Sequence, residues 1–323
     1  MRGAHKSLIG TEAFMRIVFM GTPESAVASL QRLLNDGHEI VAVWTQPDKP
    51  AGRGKKLHES AIKEFALQHN LTIHQPAKIK TQEAKGLFAS HKADAAVVVA
   101  YGKILPSEFL TAYEQGCINV HFSLLPKYRG AAPVNWAIVN GETETGVTTM
   151  RIVEELDAGP ILLQSKAPIG EDETAPELLM RLAEMGAALI SETLRNLDAI
   201  EPRPQRDTDA TFAPILKREN GLIDWSMNAF AIERRVRGFQ PWPNAHTTLD
   251  SRRLIIWRAT PEQIELSITH GQLVEARSDR LVVGCGHSTL LRIAELQPEG
   301  GRRMSARDFI NGKYVKDGAV LGK

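Results

Sequence analysis

From residue 15 onward, short runs of buried-type apolar residues alternate with stretches whose apolar positions recur every three or four residues. Arg16–Met20 (RIVFM) is the first such run. Gly21-Thr22-Pro23 breaks it, and Val27, Leu30, Leu33 and Leu34 then fall on one helical face. Gly37 ends that helix, and Ile40–Thr45 begins the next strand. The same rhythm predicts strands at Ala95–Ala100, Ile118–His121, Thr145–Arg151 and Ile161–Ala167. Helices are predicted near Ala61–His69, Thr81–Ser90, Pro106–Ala112, Ala132–Asn140 and Pro176–Leu197. Strand, helix, strand in this order predicts a mostly parallel sheet covered on both faces. Such sheets bind ligands beyond the carboxyl ends of their strands.

Around 201–220 the alternation stops. Glu201-Pro202-Arg203-Pro204-Gln205-Arg206 is proline-rich and charged and has the composition of a linker. After it come one predicted helix, Ala229–Val236, and short predicted strands at Ala245–Thr248, Arg253–Arg258, Gln272–Ala276, Arg280–Gly284 and Thr289–Leu296. Close-spaced short strands predict a small antiparallel barrel of OB-like type. The expected organisation is therefore a Rossmann-like α/β domain over 15–200, a linker over 201–220 and an OB-like β-barrel over 221–323. Residues 1–14 (MRGAHKSLIGTEAF) lack the apolar core and cleavage site of a signal peptide and read as an upstream extension outside the fold.

Composition narrows the function classes only a little. The 323 residues are 43% hydrophobic and 24% charged, as in ordinary globular proteins. No apolar run approaches the roughly 18–20 residues that span a bilayer. Cys117 and Cys285 are the only two cysteines, far apart in sequence, so neither a disulfide framework nor a cysteine metal site is expected. A cytoplasmic location is the expectation, and nothing in the chain demands more than a monomer. The net charge of +1 conceals an asymmetry. Residues 15–202 hold 18 basic and 23 acidic side chains, a net of −5, whereas residues 221–323 hold 15 and 11, a net of +4. Either a polyanion meets the C-terminal half, or composition merely drifts along the chain.

The chemistry-bearing residues cluster after one strand. Asn119 and His121 alternate with Ile118 and Val120, so both polar side chains leave the same side of the predicted strand at its end. Asp157 follows a later strand in a Leu-Asp-Ala-Gly-Pro turn that could reach the same crevice. Acyl transfer to an amine needs donors for a developing oxyanion, a route for the amine's proton and an orienting partner for the histidine. Asn, His and Asp supply these without a nucleophilic Ser or Cys, so direct attack by the amine is the simplest route. Spacing alone does not separate this pocket from turn hydrogen bonds around a satisfied histidine. A dinucleotide cofactor is unsupported, because Gly21-Thr22-Pro23 is not a G-x-G-x-x-G turn. His5, His38, His58, His69, His74 and His91 lack metal-ligand spacing, and no metal is expected.

Longer stretches decide more. Cys117–Ile138 (CINVHFSLLPKYRGAAPVNWAI) and Gly141–Pro160 (GETETGVTTMRIVEELDAGP) closely resemble the folate-dependent formyltransferases. That family's signature is an Asn-x-His strand, a Ser-Leu-Leu-Pro-x-x-x-x-Gly turn and a downstream Leu-Asp-x-Gly. The resemblance implies that Asn119, His121 and Asp157 are the catalytic trio and that Ser123, Leu124, Leu125 and Pro126 line the folate site. It also implies 10-formyltetrahydrofolate as cosubstrate, with backbone near Tyr101–Leu105 and Ile152–Glu155 around its pterin ring.

The acceptor is indicated elsewhere. Gln46–Leu57 (QPDKPAGRGKKL) carries Lys49, Arg53, Lys55 and Lys56 against one acid, Asp48. Its glycines and prolines predict an irregular, mobile basic loop, suited either to phosphates or simply to solvent. It resembles the loop that family members acting on methionyl-tRNA set against the acceptor stem, and Arg53 carries over as its foremost residue. Phe212–Trp225 (FAPILKRENGLIDW) and Arg237–Thr247 (RGFQPWPNAHT) resemble the C-terminal domain of the same members. Methionyl initiator tRNA is the partner this implies. Trp225, Phe239 and Trp242 could stack on bases or pack in the core. Formyltransferases of sugar nucleotides or purine precursors are the rivals within the class, and a non-catalytic folate- or RNA-binding protein is the rival outside it.

Overall fold

The computed structural model describes residues 14–51, 56–265, 268–312, 314–315 and 317–322. Strands in the first half are β1 (Arg16–Gly21), β2 (Glu39–Trp44), β3 (Lys49–Ala51), β4 (Lys56–His58), β5 (Ile73–His74), β6 (Ala95–Val99), β7 (Cys117–His121), β8 (Arg129–Gly130), β9 (Glu144–Arg151) and β10 (Ile161–Pro168). Seven of them form one sheet in the order β10-β9-β7-β6-β1-β2-β5. The pairs from β7 to β5 are parallel, and β9 runs antiparallel to β7. The expected α/β architecture is thus present. Helices α1 (Val27–Asn35), α2 (Ala61–Gln68), α3 (Gln82–Ser90), α4 (Ser107–Leu110), α5 (Pro133–Val139) and α6 (Ala175–Arg195) connect these strands.

Local chemistry explains where these helices start and stop. Ser60 and Thr81 cap α2 and α3 by accepting the backbone N–H of Lys63 and Ala84. Gly37 follows α1 at φ +86°, a conformation that side chains other than glycine's rarely adopt. Leu30 and Leu33 of α1 are fully buried, as are Ile17, Val18, Phe19 and Met20 of the central β1. Beyond the strand ends, polar bonds tie neighbouring connections together. Thr22 Oγ1 and Gln46 Nε2 both donate to the Tyr101 carbonyl, at 3.1 and 3.0 Å.

Later residues form β11 (Phe212–Ala213), α7 (Ala229–Gly238), β12 (His246–Leu249), β13 (Arg252–Gln263), β14 (Leu273–Arg277), β15 (Arg280–Cys285), β16 (Thr289–Pro298), β17 (Met304–Ser305) and α8 (Ala306–Asn311). Here the sheet is antiparallel in the order β12-β13-β16-β15-β14, with β17 paired to β16. Ile232 and Val236 of α7, Phe309 of α8, and Ile256, Leu281, Val283, Leu291 and Ile293 of the sheet share one core.

Packing density divides the chain into two compact units that do not follow a single cut. Of the described residues, those within 1–121, 147–165 and 183–207 form one, and those within 122–146, 166–182 and 208–323 form the other. The segment 201–220 is held rather than free. In the first unit, Arg203 exchanges two backbone hydrogen bonds of 2.8 Å with Ile161. In the second, β11 pairs in parallel with β8. A proline-rich composition removes regular structure but does not prevent such single contacts.

Candidate active site

β7 brings Asn119 and His121 to one side of its strand, and β9 completes the face. Asn119 lies opposite Met150, and His121 opposite Thr148. His121 is 6% exposed and Asn119 half-buried. The antiparallel direction of β9 creates a difficulty that the sequence rhythm concealed. Its last residue, Arg151, pairs with Ile118, three residues back from His121 and roughly 10 Å away along the strand. Asp157 must therefore return along the sheet to reach the histidine, and it does. Its Oδ2 stands 3.8 Å from His121 Nδ1, with both side chains mostly buried. That distance is ionic and just beyond hydrogen-bond reach. It turns Nδ1 toward the carboxylate and Nε2 toward the opposite side of the ring.

Three features fold the turn back. Asp157 itself adopts φ +50°, which Asp tolerates better than most residues. Gly159 passes so close to β9 that a Cβ there would stand 1.8 Å from the Arg151 carbonyl oxygen. Gln205 Nε2 donates to the carbonyls of Asp157 and Gly159, at 2.8 and 2.7 Å. Arg151 fixes the base of the turn: its N–H donates to the Pro160 carbonyl and its guanidinium to the Gln115 carbonyl, at 3.0 and 2.5 Å. Gln205 was invisible as a site residue because nothing in a charged, proline-rich tract marks one amide. Replacing Gln205 with glutamate sets an acceptor against two carbonyls. We expect kcat to fall by about tenfold or more and the melting temperature by a few degrees, because two carbonyls lose their donor, measured by steady-state kinetics alongside thermal unfolding.

The Ser123-Leu124-Leu125-Pro126 turn begins two residues after His121 in the chain. Ser123 and Leu125 are buried, Leu124 and Pro126 half-buried. Ser123 Oγ donates to the Lys127 carbonyl at 2.6 Å, and Lys127 N–H to the Leu124 carbonyl at 3.1 Å, closing the turn. The two segments expected around a pterin also meet. Ile152 packs against a buried cluster that contains Tyr101 and Leu105. Tyr101 Oη is buried there without a hydrogen-bond partner among the described residues. Burial pushes that hydroxyl up to about 12, so it stays a neutral donor. A buried hydroxyl lacking a protein partner suits a ligand ring edged with donors and acceptors.

The basic segment departs from expectation. Its flanks are regular: β3 and β4 pair antiparallel, with Lys49 opposite His58 and Ala51 opposite Lys56. Pro50 is tolerated because this two-stranded ribbon is all edge. Lys49 is exposed on β3 and Lys56 begins β4, whereas Arg53 and Lys55 lie outside the described residues. Asp48, the segment's only acid, is already engaged by Lys63 Nζ at 2.6 Å and Gln75 Nε2 at 2.8 Å. Those bonds, first the one from Lys63, hold its carboxyl below the usual range. The segment's one acid is thus engaged by residues outside the segment.

Cys117 and Cys285 are buried and unpaired, and burial pushes each thiol up to about 12. Among the described residues no cluster of three or more His, Cys, Asp or Glu could hold a metal, and no helix is long and apolar enough to cross a membrane.

The Asn-x-His strand end and the aspartate on its returning turn thus lie together on one face of a mostly parallel sheet. Residues 15–194 match the family described as formyl transferase, and residues 215–314 its C-terminal domain. The chain belongs to the formyl transferase family and is a formyltransferase. Among its relatives is the methionyl-tRNA formyltransferase of Caldanaerobacter subterraneus subsp. tengcongensis, 47% identical over 314 residues, covering 95% of this chain and 100% of that one. That of Trichlorobacter lovleyi is 46% identical over 308 residues, covering 95% and 96%. Two solved structures share the fold at 18% identity. One is the N-formyltransferase from Helicobacter canadensis in complex with folinic acid and dTDP-3-aminofucose, with a TM-score of 0.65 over 87% of this chain and 99% of that one. The other is HypX from Aquifex aeolicus in complex with tetrahydrofolic acid, with a TM-score of 0.61 over 94% and 49%.

Proposed function

We propose that the chain transfers the formyl group of 10-formyltetrahydrofolate to the α-amine of methionyl-tRNA, giving N-formylmethionyl initiator tRNA for translation initiation. The observation that carries this reading is the identity of 43–47% to methionyl-tRNA formyltransferases over about 95% of the chain, including its C-terminal part. The reading takes the enzyme as a cytoplasmic monomer. It assigns formyl transfer to residues 15–200, RNA contact to 221–323, and the connection between them to 201–220.

Ser123, Leu124, Leu125 and Pro126, with Tyr101–Leu105 and Ile152–Glu155, would hold the folate. When bound, it supplies a formyl carbon open to attack by an amine. Asn119 donates its side-chain N–H to the formyl oxygen, and His121 in its charged form donates from Nε2, so that both stabilise the oxyanion as it develops. Asp157, beside Nδ1 of the same ring, orients the imidazole and balances its charge. The attacking α-amine has an unperturbed pKa of about 7.7–8.0 and must be neutral. As its nitrogen bonds the formyl carbon it gives one proton to Asp157, directly or through water. The bond from that carbon to the folate N10 then breaks as N10 takes up a proton and leaves as tetrahydrofolate. None of these steps needs a covalent enzyme intermediate.

Lys49, Arg53, Lys55 and Lys56 are assigned to phosphates of the acceptor stem. Replacing Arg53, Lys55 and Lys56 together with glutamine should raise KM for methionyl-tRNA by tenfold or more at physiological salt and leave KM for the folate unchanged. Each lost phosphate contact also lowers the slope of log K against log salt by about 0.7–0.9. Assays of the triple variant over a salt series check both. An unchanged KM and slope would count against the assignment. Formylation of a nucleotide-linked aminosugar in preference to methionyl-tRNA would count against the acceptor.

A further inference from the structure

The three aromatic residues that could stack on bases separate in the structure. Trp225 and Phe239 are 6% and 0% exposed, and Trp225 Nε1 donates to Thr247 Oγ1 at 3.0 Å, so both pack in the interior. Trp242 is 52% exposed. Leaving half an indole in water forgoes apolar burial that the fold could have taken. Nor does it ride on a loose tip. Gln240 Nε2 donates to the carbonyls of Val236 and Trp257, at 2.9 and 3.0 Å. Asn244 donates its backbone N–H to the Phe239 carbonyl at 2.9 Å and its side-chain Nδ2 to the Pro241 carbonyl at 2.7 Å. Arg253 closes the loop by donating to the Pro243 carbonyl at 3.2 Å. A ligand stacking on this indole would find it already positioned and pay little for ordering it.

Positive charge gathers beside it. Arg218 is exposed on the short turn Arg218–Gly221, which docks directly against the loop's exit. A Cβ on Gly221 would stand 2.2 Å from the Asn244 carbonyl oxygen and 2.9 Å from His246 Nδ1, so the approach requires glycine. Arg253 Nε finds no acceptor among the described residues. Burial first, then the like charges of Arg253 and Arg218, hold the His246 imidazole below its ordinary range. Opposing acids are few: Glu299 accepts the Arg253 backbone N–H at 3.1 Å and partly offsets its charge, and Glu219 follows Arg218 on the turn.

We propose that Trp242, flanked by Arg218 and Arg253, is an RNA-contact surface of the C-terminal unit, where an unpaired base stacks on the indole and the two guanidiniums meet neighbouring phosphates. Stacking and cation contacts together are how single-stranded RNA is held without reading its sequence. Two guanidiniums beside the indole, only partly offset by Glu299 and Glu219, favour a polyanion over a protein as the occupant. The surface rests on the RNA acceptor proposed above and names residues that would meet it outside the basic hairpin.

Binding of labelled, uncharged tRNA to the full-length protein over a salt series tests it. Trp242→Ala should weaken binding roughly 5- to 100-fold, and Trp242→Phe should recover most of that loss. Arg218→Gln should weaken binding and lower the log–log salt slope by about one. Folate binding and melting temperature should stay at wild-type values in all three. Wild-type affinity and slope in Trp242→Ala and Arg218→Gln would overturn the surface. So would a Trp242→Ala loss that phenylalanine fails to restore. Formylation by the wild-type protein is read separately: turnover with unaltered variants sinks the surface alone, whereas no turnover on methionyl-tRNA sinks the acceptor reading.

Discussion

Replacing Asn119 or His121 with alanine should lower kcat for formyl transfer by about a hundredfold or more, with folate binding kept within a few fold. Both side chains are assigned to charge that exists only as the amine attacks, so their loss is felt in the transition state and little in the ground state. Removing a single oxyanion donor typically costs 10²–10³ in rate. The two variants should differ in one respect. Without Asn119 the His121–Asp157 contact persists, whereas His121→Ala removes a buried ring from beside the Asp157 carboxylate and leaves a gap. A modest drop in melting temperature is therefore expected for His121→Ala and none for Asn119→Ala. Pre-steady-state kinetics with thermal unfolding separates them. Near-normal turnover in either variant would remove that residue from the catalytic set.

Gly159→Ala should be nearly as damaging although the residue touches no reacting atom. The new methyl would stand 1.8 Å from the Arg151 carbonyl oxygen and 2.9 Å from its carbon. Arg151 cannot yield easily, since its guanidinium is anchored on Gln115 and its N–H bonds the Pro160 carbonyl. The turn must move instead, carrying Asp157 away from His121. Overpacking of this kind costs about 1–3 kcal/mol, a fall of roughly 3–10 °C in melting temperature. We expect kcat to drop at least tenfold, because a misplacement of about 1 Å can cost as much as a hundredfold. Wild-type kcat and stability in this variant would show that the turn has room to adapt.

Much of this was legible from residues alone. Period-2 and period-3.6 patterns located β1, β2, β6, β7, β9, β10 and α1 to within a residue or two, because those elements bury one face or both. The pattern was silent on strand direction. Thr145–Arg151 reads the same whether it runs with β7 or against it, so the need for Asp157 to double back came only with the register. Two-residue β5 and β17 are too short to show any period. The basic segment was misread in part: proline and glycine there argued against regular structure, yet Lys49–Ala51 and Lys56–His58 pair on an edge that asks little of Pro50. Composition likewise could not sort Trp225 and Phe239 from Trp242, since burial is settled by neighbours distant in sequence. Asn119, His121 and Asp157 were found through the motif around them, whereas Gln205 needed the fold to bring it to the Asp157 turn.

The central claim is that this site moves a formyl group onto methionyl-tRNA. Single-turnover transfer from 10-formyltetrahydrofolate carrying a labelled formyl group, with charged initiator and charged elongator tRNA in parallel, tests it most directly. Labelled formylmethionine should form within one turnover on the initiator tRNA, more slowly on the elongator, and at least a hundredfold more slowly with His121→Ala. Absence of labelled formylmethionine from the wild-type reaction would contradict the account.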